Sequence, residues 1–376
     1  MFTDTSASRP APQPVALRQM PQLDGVRALC LLSIVIHHWL GQWIHVDFPF
    51  EVGAFIFFAL SGYLITRILL RGRRKICEQG TSLGHFLRSF TYRRGLRLAP
   101  AYALALVLYA VLGTPDVLQN WVWYVTNSSN LHFSRLAGWP GGADQFWTLA
   151  VDQQFYALWP FLVLLLPQRW LPVAMVLVGL VAPLSRYLCW LQVPFFVGEL
   201  ADKAPWFLTD HLCAGALLAY AQEYLRLPSR RVLWTGMIGA LTVYLVLRYQ
   251  MLGVSSHSVW LIWQQTSLAL FSAALVGLCA GGFKGCGRWV LEHPVIQYIG
   301  TRSYGYYVYH SLVFLLLGYL TPWIFQWEAT PLTITVRMLL GAVLLVTMAH
   351  YSWRFIEQPF LRRKQKHRYS TTKAVP

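Results

Sequence analysis

Ten apolar stretches, each near the ~20 residues an α-helix needs to cross a bilayer, recur along the chain. They lie at residues 28–46, 52–70, 98–113, 147–166, 170–190, 207–225, 232–250, 259–282, 303–320 and 332–353. Such a pattern leaves room for one architecture, an all-α polytopic transmembrane bundle of about ten helices, because backbone polar groups in lipid must be satisfied within the segment. Residues 117–127 (VLQNWVWYVTN) are a further candidate for a partial or interfacial helix. A composition 56% hydrophobic and 12% charged, rich in Trp, Tyr and Phe, fits a chain with lipid around it and aromatic belts at two interfaces.

The net charge of +16 suggests nucleic acid until the charges are placed. With the N-terminus in the cytoplasm, 26 of the 31 Lys and Arg fall in internal segments. Four (Arg135, Arg186, Lys203, Arg248) fall in external ones, and Arg337 sits within the last span. This is the positive-inside bias, and it points to both termini cytoplasmic and an even number of spans. Nucleic-acid binding is thereby set aside. Residues 1–22 lack the apolar core and cleavage site of a secretory signal, so they are expected to be a polar cytoplasmic segment. Residues 23–361 should form the membrane domain and 362–376 a basic cytoplasmic tail. The six cysteines (Cys30, Cys77, Cys189, Cys213, Cys279, Cys286) show no metal-binding spacing and read as unpaired packing residues. No metal is expected.

Ionisable groups at membrane depth are costly and face a bundle interior or wet cavity. The first span, LDGVRALCLLSIVIHHW, carries Asp24, Arg27, His37 and His38. At 100° per residue, Arg27 and His38 share a helix face, about 20° apart in angle and roughly 16 Å apart along the axis, whereas His37 points some 80° away. The second span holds Ser61-Gly62 in FFALSGYLITRILL, either a polar notch or a helix-packing device. The basic segment that follows ends in RSFTYRRGLRLAP, with Arg93 and Arg97 at i, i+4 beside Arg94. These arginines either hold phosphates bidentately or serve topology and contact with anionic lipid. The fourth span opens FWTLAVDQQFYALWP, with Asp152 and Tyr156; the sixth opens at Asp210-His211; the ninth carries His310; and Glu357 precedes the tail. Together these groups suggest one interior site, which serves a reaction or lines a transport path.

Taken in order from Leu23 to about Arg362, the segments Arg27/His38, FFALSGYLI, RRGLRLAPAY, WTLAVDQQFY, DHLCAGALLA, SYGYYVYH and IEQPF resemble the acyltransferase-3 family of integral membrane proteins. The resemblance implies transfer of an acyl group, usually acetyl, from cytoplasmic acyl-CoA to a hydroxyl of a glycan, a lipid-linked saccharide or a glycosylated small molecule, in the cytoplasmic (inner) membrane. The family's first-helix arginine and histidine map onto Arg27 and His38, and its arginines after the second helix onto Arg93, Arg94 and Arg97. Where the family usually has glutamate, this chain has Asp152, a carboxylate shortened by one methylene. Some members carry an extracytoplasmic hydrolase-like domain, and none is expected here. The implied roles are His38 as general base, with Arg27 and Asp152 beside it in the catalytic set, and Arg93, Arg94, Arg97 and Arg27 on the donor. Asp24, Ser61, Tyr156, Asp210 and His310 complete the substrate site. A transporter or flippase is the alternative reading, although no convincing inverted repeat is present.

Overall fold

A computed structural model of the chain describes residues 20–41, 51–136, 141–193, 201–225, 227–250, 260–320 and 330–366, together with positions 49, 138 and 139. Its long elements are ten helices: α1 (Pro21–Leu40), α2 (Val52–Gln79), α3 (Leu83–Val111), α4 (Phe146–Leu165), α5 (Leu171–Trp190), α6 (Thr209–Tyr224), α7 (Arg230–Gln250), α8 (Trp260–Gly281), α9 (Ser303–Leu320) and α10 (Pro331–Ser352). No strand occurs among the described residues, and the fold is the helical bundle expected from the sequence. Among the described residues, eight helical segments are long and apolar enough to cross a membrane. The other two long helices, α6 and α9, are shielded by protein: Asp210, His211 and Cys213 in α6, and Ser303 and His310 in α9, are buried.

Helix boundaries depart from the apolar runs where polar side chains find partners. The first span was expected at 28–46, yet α1 begins at Pro21. Gln22 hydrogen-bonds the Phe283 carbonyl (3.1 Å) and Glu292 (2.9 Å), and Arg27 bonds Asp24 (2.5 Å), so the helix carries these groups without leaving them bare. Residues 42–48 lie outside the described residues. The third span was expected at 98–113, whereas α3 runs 29 residues from Leu83 and takes the whole basic segment into one helix. Arg186 and Arg248 were assigned to external segments and in fact belong to α5 and α7. After Ser352 the last helix passes through a π-helical turn, Trp353–Glu357, into Gln358–Lys366. The stretch 117–127 is covered by short helices, Pro115–Gln119 and Trp121–Val125, followed by Ser129–Phe133, with Tyr124 buried and Trp121 and Val125 exposed.

A close helix contact sets the position of the site. A Cβ at Gly62 of α2 would strike the Leu212 carbonyl of α6, and one at Gly215 of α6 would strike the Ala59 carbonyl of α2. Small residues thus let the two backbones approach, and Ser61 is fixed beside that contact. All six cysteines are free. Cys30, Cys213 and Cys279 are buried as packing residues, but Cys77 and Cys286 are exposed and pack no core.

Candidate active site

Five helices enclose an interior chamber of about 110 Å³, lined by Arg27 of α1, Ser61 and Phe58 of α2, Arg94 and Arg97 of α3, Thr148, Asp152 and Tyr156 of α4, and Ser303, Tyr304 and Tyr307 of α9. A second cavity of about 380 Å³ adjoins it between the first halves of α1 and α3 and the second half of α2. Asp24, Arg27, Arg67, Arg93, Arg94 and Arg97 line this one, and Arg27, Arg94 and Arg97 are walls of both.

Within the chamber the Ser61 hydroxyl donates to Asp152 Oδ2 (3.1 Å) and lies 3.1 Å from the Tyr156 hydroxyl. With the Ser61 proton on the carboxylate, Tyr156 is the donor of the pair, giving a relay Tyr156→Ser61→Asp152. Asp152 Oδ1 is buried with no hydrogen-bond partner among the described residues. The Arg94 guanidinium lies over the Tyr156 ring (5.3 Å) and the Phe90 ring (5.9 Å). One turn before Asp152 on α4, Thr148 Oγ1 meets the Tyr307 hydroxyl of α9 at 2.5 Å.

The basic residues after the second span, alike in sequence, divide into two groups. Arg67, Arg71 and Arg74 of α2 all bond Glu223 of α6, at 3.1, 2.9 and 2.8 Å, and Arg73 bonds the carbonyls of Val163 (2.8 Å) and Leu166 (2.5 Å). These four fasten α2 to α6 and α4. By contrast, Arg93, Arg94 and Arg97 make no hydrogen bond to the described protein, and each faces a cavity. Guanidinium groups gathered at a cavity wall without a carboxylate each form a receptor for an anion.

His38 stands one layer beyond the chamber. Its ring centroid is 5.0 Å from that of His310, and Tyr307, a chamber wall, is 5.3 Å from His310 on the other side. His310 is fully buried; its Nδ1 lies 2.5 Å from the Tyr307 carbonyl, which only accepts, so the proton is on Nδ1. Nε2 is then left as an acceptor for the Ser311 hydroxyl at 3.3 Å. His37 diverges as the helical period requires: its side chain is 46% exposed and lies 3.9 Å from Glu51.

Of the sequence-derived candidates, Arg27, Ser61, Arg94, Arg97, Asp152 and Tyr156 line the chamber, while Asp24 and Arg93 line the adjoining cavity. His38 and His310 form the layer behind Tyr307. Asp210 lines neither cavity. Its carboxylate is 2.7 Å from Arg186, whose guanidinium also bonds the Phe207 carbonyl and Thr266, tying α5, α6 and α8 together. Removing one partner of a buried pair strands the other charge, so Asp210→Ala should cost about 3–5 kcal/mol. This is measurable as a fall in thermal midpoint of the purified protein in detergent.

Sequence reasoning missed Tyr304, Tyr307 and Thr148, whose residue types look like ordinary packing. It noted Glu357 without giving it a place. Glu357 is buried at the end of the π-helical turn, accepts from Ser352 (3.3 Å), which in turn meets Tyr309 (2.8 Å), and lies within electrostatic reach of Arg97. π-Helical turns recur at functional sites, but no residue pattern announces one.

The model of the acyltransferase domain family matches residues 20–351. The chain is 28% identical over 369 residues to the peptidoglycan O-acetyltransferase OatA of Listeria monocytogenes, covering 91% of this chain and 56% of that protein. It is 26% identical over 371 residues to the O-acetyltransferase OatA of Staphylococcus aureus, covering 92% and 58%. The chain therefore spans little more than half the length of these curated relatives. No solved structure matches it. With the match running from the start of α1 nearly to the end of α10, over the arginine cavity and the chamber alike, the chain belongs to the acyltransferase-3 family of membrane acyltransferases.

Proposed function

We propose that this chain is a membrane O-acyltransferase that moves an acetyl group from cytoplasmic acetyl-CoA to a hydroxyl of an extracytoplasmic glycan. The observation that carries the reading is the trio Arg93, Arg94 and Arg97, without hydrogen bonds among the described residues, on a cavity that shares walls with the Asp152–Ser61–Tyr156 chamber. Of the five arginines on that cavity, Arg27 is paired with Asp24 and Arg67 with Glu223, which leaves Arg93, Arg94 and Arg97 in excess. Such an excess suits a ligand with several phosphates, which charge-assisted guanidinium bonds hold well. The positive-inside distribution supports a cytoplasmic position for this cavity and for both termini in the inner membrane, where acyl-CoA is available. The names of the relatives support an O-acetyl product on a glycan.

In this reading the CoA phosphates rest on Arg93, Arg94 and Arg97, with Arg27 held by Asp24 at the passage to the chamber. The thioester arm extends along α1 toward His38, which lies eleven residues, roughly 16 Å, further along the axis. The acceptor arrives from the other side of the membrane. His38 takes the proton of its hydroxyl as the oxygen attacks the thioester carbonyl; the carbon–sulfur bond breaks; and the imidazolium returns the proton to the CoA thiolate. His310, fixed by the Tyr307 carbonyl, orients the neighbouring His38 ring.

The same buried histidines and carboxylates suit a transporter or flippase, the second reading. Thioester consumption separates the two. Purified protein given acetyl-CoA alone should release free CoA slowly by hydrolysis, followed with a thiol reagent; a flippase leaves the thioester intact.

A further inference from the structure

At the N-terminal end of α4, away from the arginine cavity, Lys203 lies between two indoles. Its ammonium is 5.4 Å from the Trp139 ring centroid and 5.2 Å from that of Trp147. We propose that this Trp139–Lys203–Trp147 cluster is the docking shelf for the saccharide acceptor, with a sugar ring stacked on the free face of Trp139. The proposal rests on the reading of the chain as a glycan O-acyltransferase.

Three observations support it. First, Trp139 is held and yet open: its ring meets the buried Phe133 edge-on at 6.3 Å and carries Lys203, while 48% of the residue remains exposed. An aromatic face held in place offers a ring a stacking surface, and polar groups at its margin can bond the ring's substituents. Second, the charge is balanced. Lys203 is 2.6 Å from Asp202 Oδ2, and Asp202 is half exposed, so the shelf offers a donor and an acceptor without the net positive charge that would select an anion. An ion pair at this margin is also costly against hydrocarbon, which argues against a plain lipid-facing belt. A ring with an apolar face and several hydroxyls matches these groups. Third, the shelf leads inward. Trp147 is 6.0 Å from Phe58, and Phe58 and Thr148 line the chamber. Lys203, Trp147 and Phe58 join the shelf to the chamber, and the arginine cavity adjoins that chamber.

The test compares total surface-glycan O-acetyl ester, released by mild base, in the parent strain, a deletion strain, and strains carrying Trp139→Leu, Trp139→Phe and Lys203→Met. Acetyl-CoA binding to each purified variant is measured beside it. We expect Trp139→Leu, which keeps apolar bulk and loses the ring face, to lower the ester about tenfold. Trp139→Phe should restore most of it, Lys203→Met should fall between, and all three should bind acetyl-CoA like the parent. Parental ester in Trp139→Leu, or a parallel loss of acetyl-CoA binding, overturns the shelf. Equal ester in the parent and deletion strains defeats the acyltransferase reading itself, and the shelf with it.

Discussion

Replacing His38 by alanine should abolish acyl transfer, a loss of roughly two to four orders of magnitude, while acetyl-CoA binding and the thermal midpoint stay near parental. Its neighbour supplies the control. His37 is largely exposed, close to Glu51 and turned away from the chamber, so His37→Ala should keep most of the activity. The contrast matters because His38 touches His310 in a buried layer, and a histidine there can serve packing alone. Substantial turnover by folded His38→Ala would exclude the general-base role. Equal losses in both variants, accompanied by unfolding, would assign the pair to structure and make His310 or Asp152 the next residue to test.

The second large effect is expected on the donor. Arg94→Ala and Arg97→Ala each remove a guanidinium that lines both cavities and makes no hydrogen bond among the described residues. Each should weaken acetyl-CoA binding, measured by equilibrium titration, about tenfold or more, the worth of a charge-assisted bond. Lysine should restore it only in part, because a point charge lacks the planar fork. The mirror experiment uses Arg73, which is bonded to the Val163 and Leu166 carbonyls: Arg73→Ala should lower stability and leave the donor affinity of the folded protein unchanged. If Arg94→Ala and Arg97→Ala both bind acetyl-CoA like the parent, the phosphates are held elsewhere.

How far the sequence could be read follows from what each kind of residue announces. Apolar run length is a property of segments, and it yielded the bundle and the ten long helices found among the described residues. Ser61, Asp152 and Tyr156, separated by 91 and 95 residues, meet in one chamber, and each was legible as a polar group inside an apolar helix. The same signal misled at Asp210. A buried carboxylate has to have a partner, but sequence does not say whether that partner is a ligand or Arg186, which had been placed in an external segment. The arginines show the converse: Arg67 to Arg74 and Arg93 to Arg97 read as one basic stretch, and only Glu223 and the α4 carbonyls tell them apart. Tyr304, Tyr307 and Glu357 became visible through packing alone. α1 began earlier than its apolar run because Asp24 and Arg27 neutralise each other, a pairwise effect that hydropathy averages away.

The central claim is that one bundle joins a donor on the arginine side to an acceptor on the other, and sidedness tests it most directly. Purified protein would be reconstituted in sealed vesicles, sorted by protease access to the C-terminal tail, with radiolabelled acetyl-CoA enclosed and soluble peptidoglycan fragments outside. Vesicles with the tail inside should transfer label to the external glycan, and vesicles of the opposite orientation or carrying Arg97→Ala should transfer little. Label on the glycan irrespective of orientation, or intact acetyl-CoA appearing outside with no ester formed, would contradict the account.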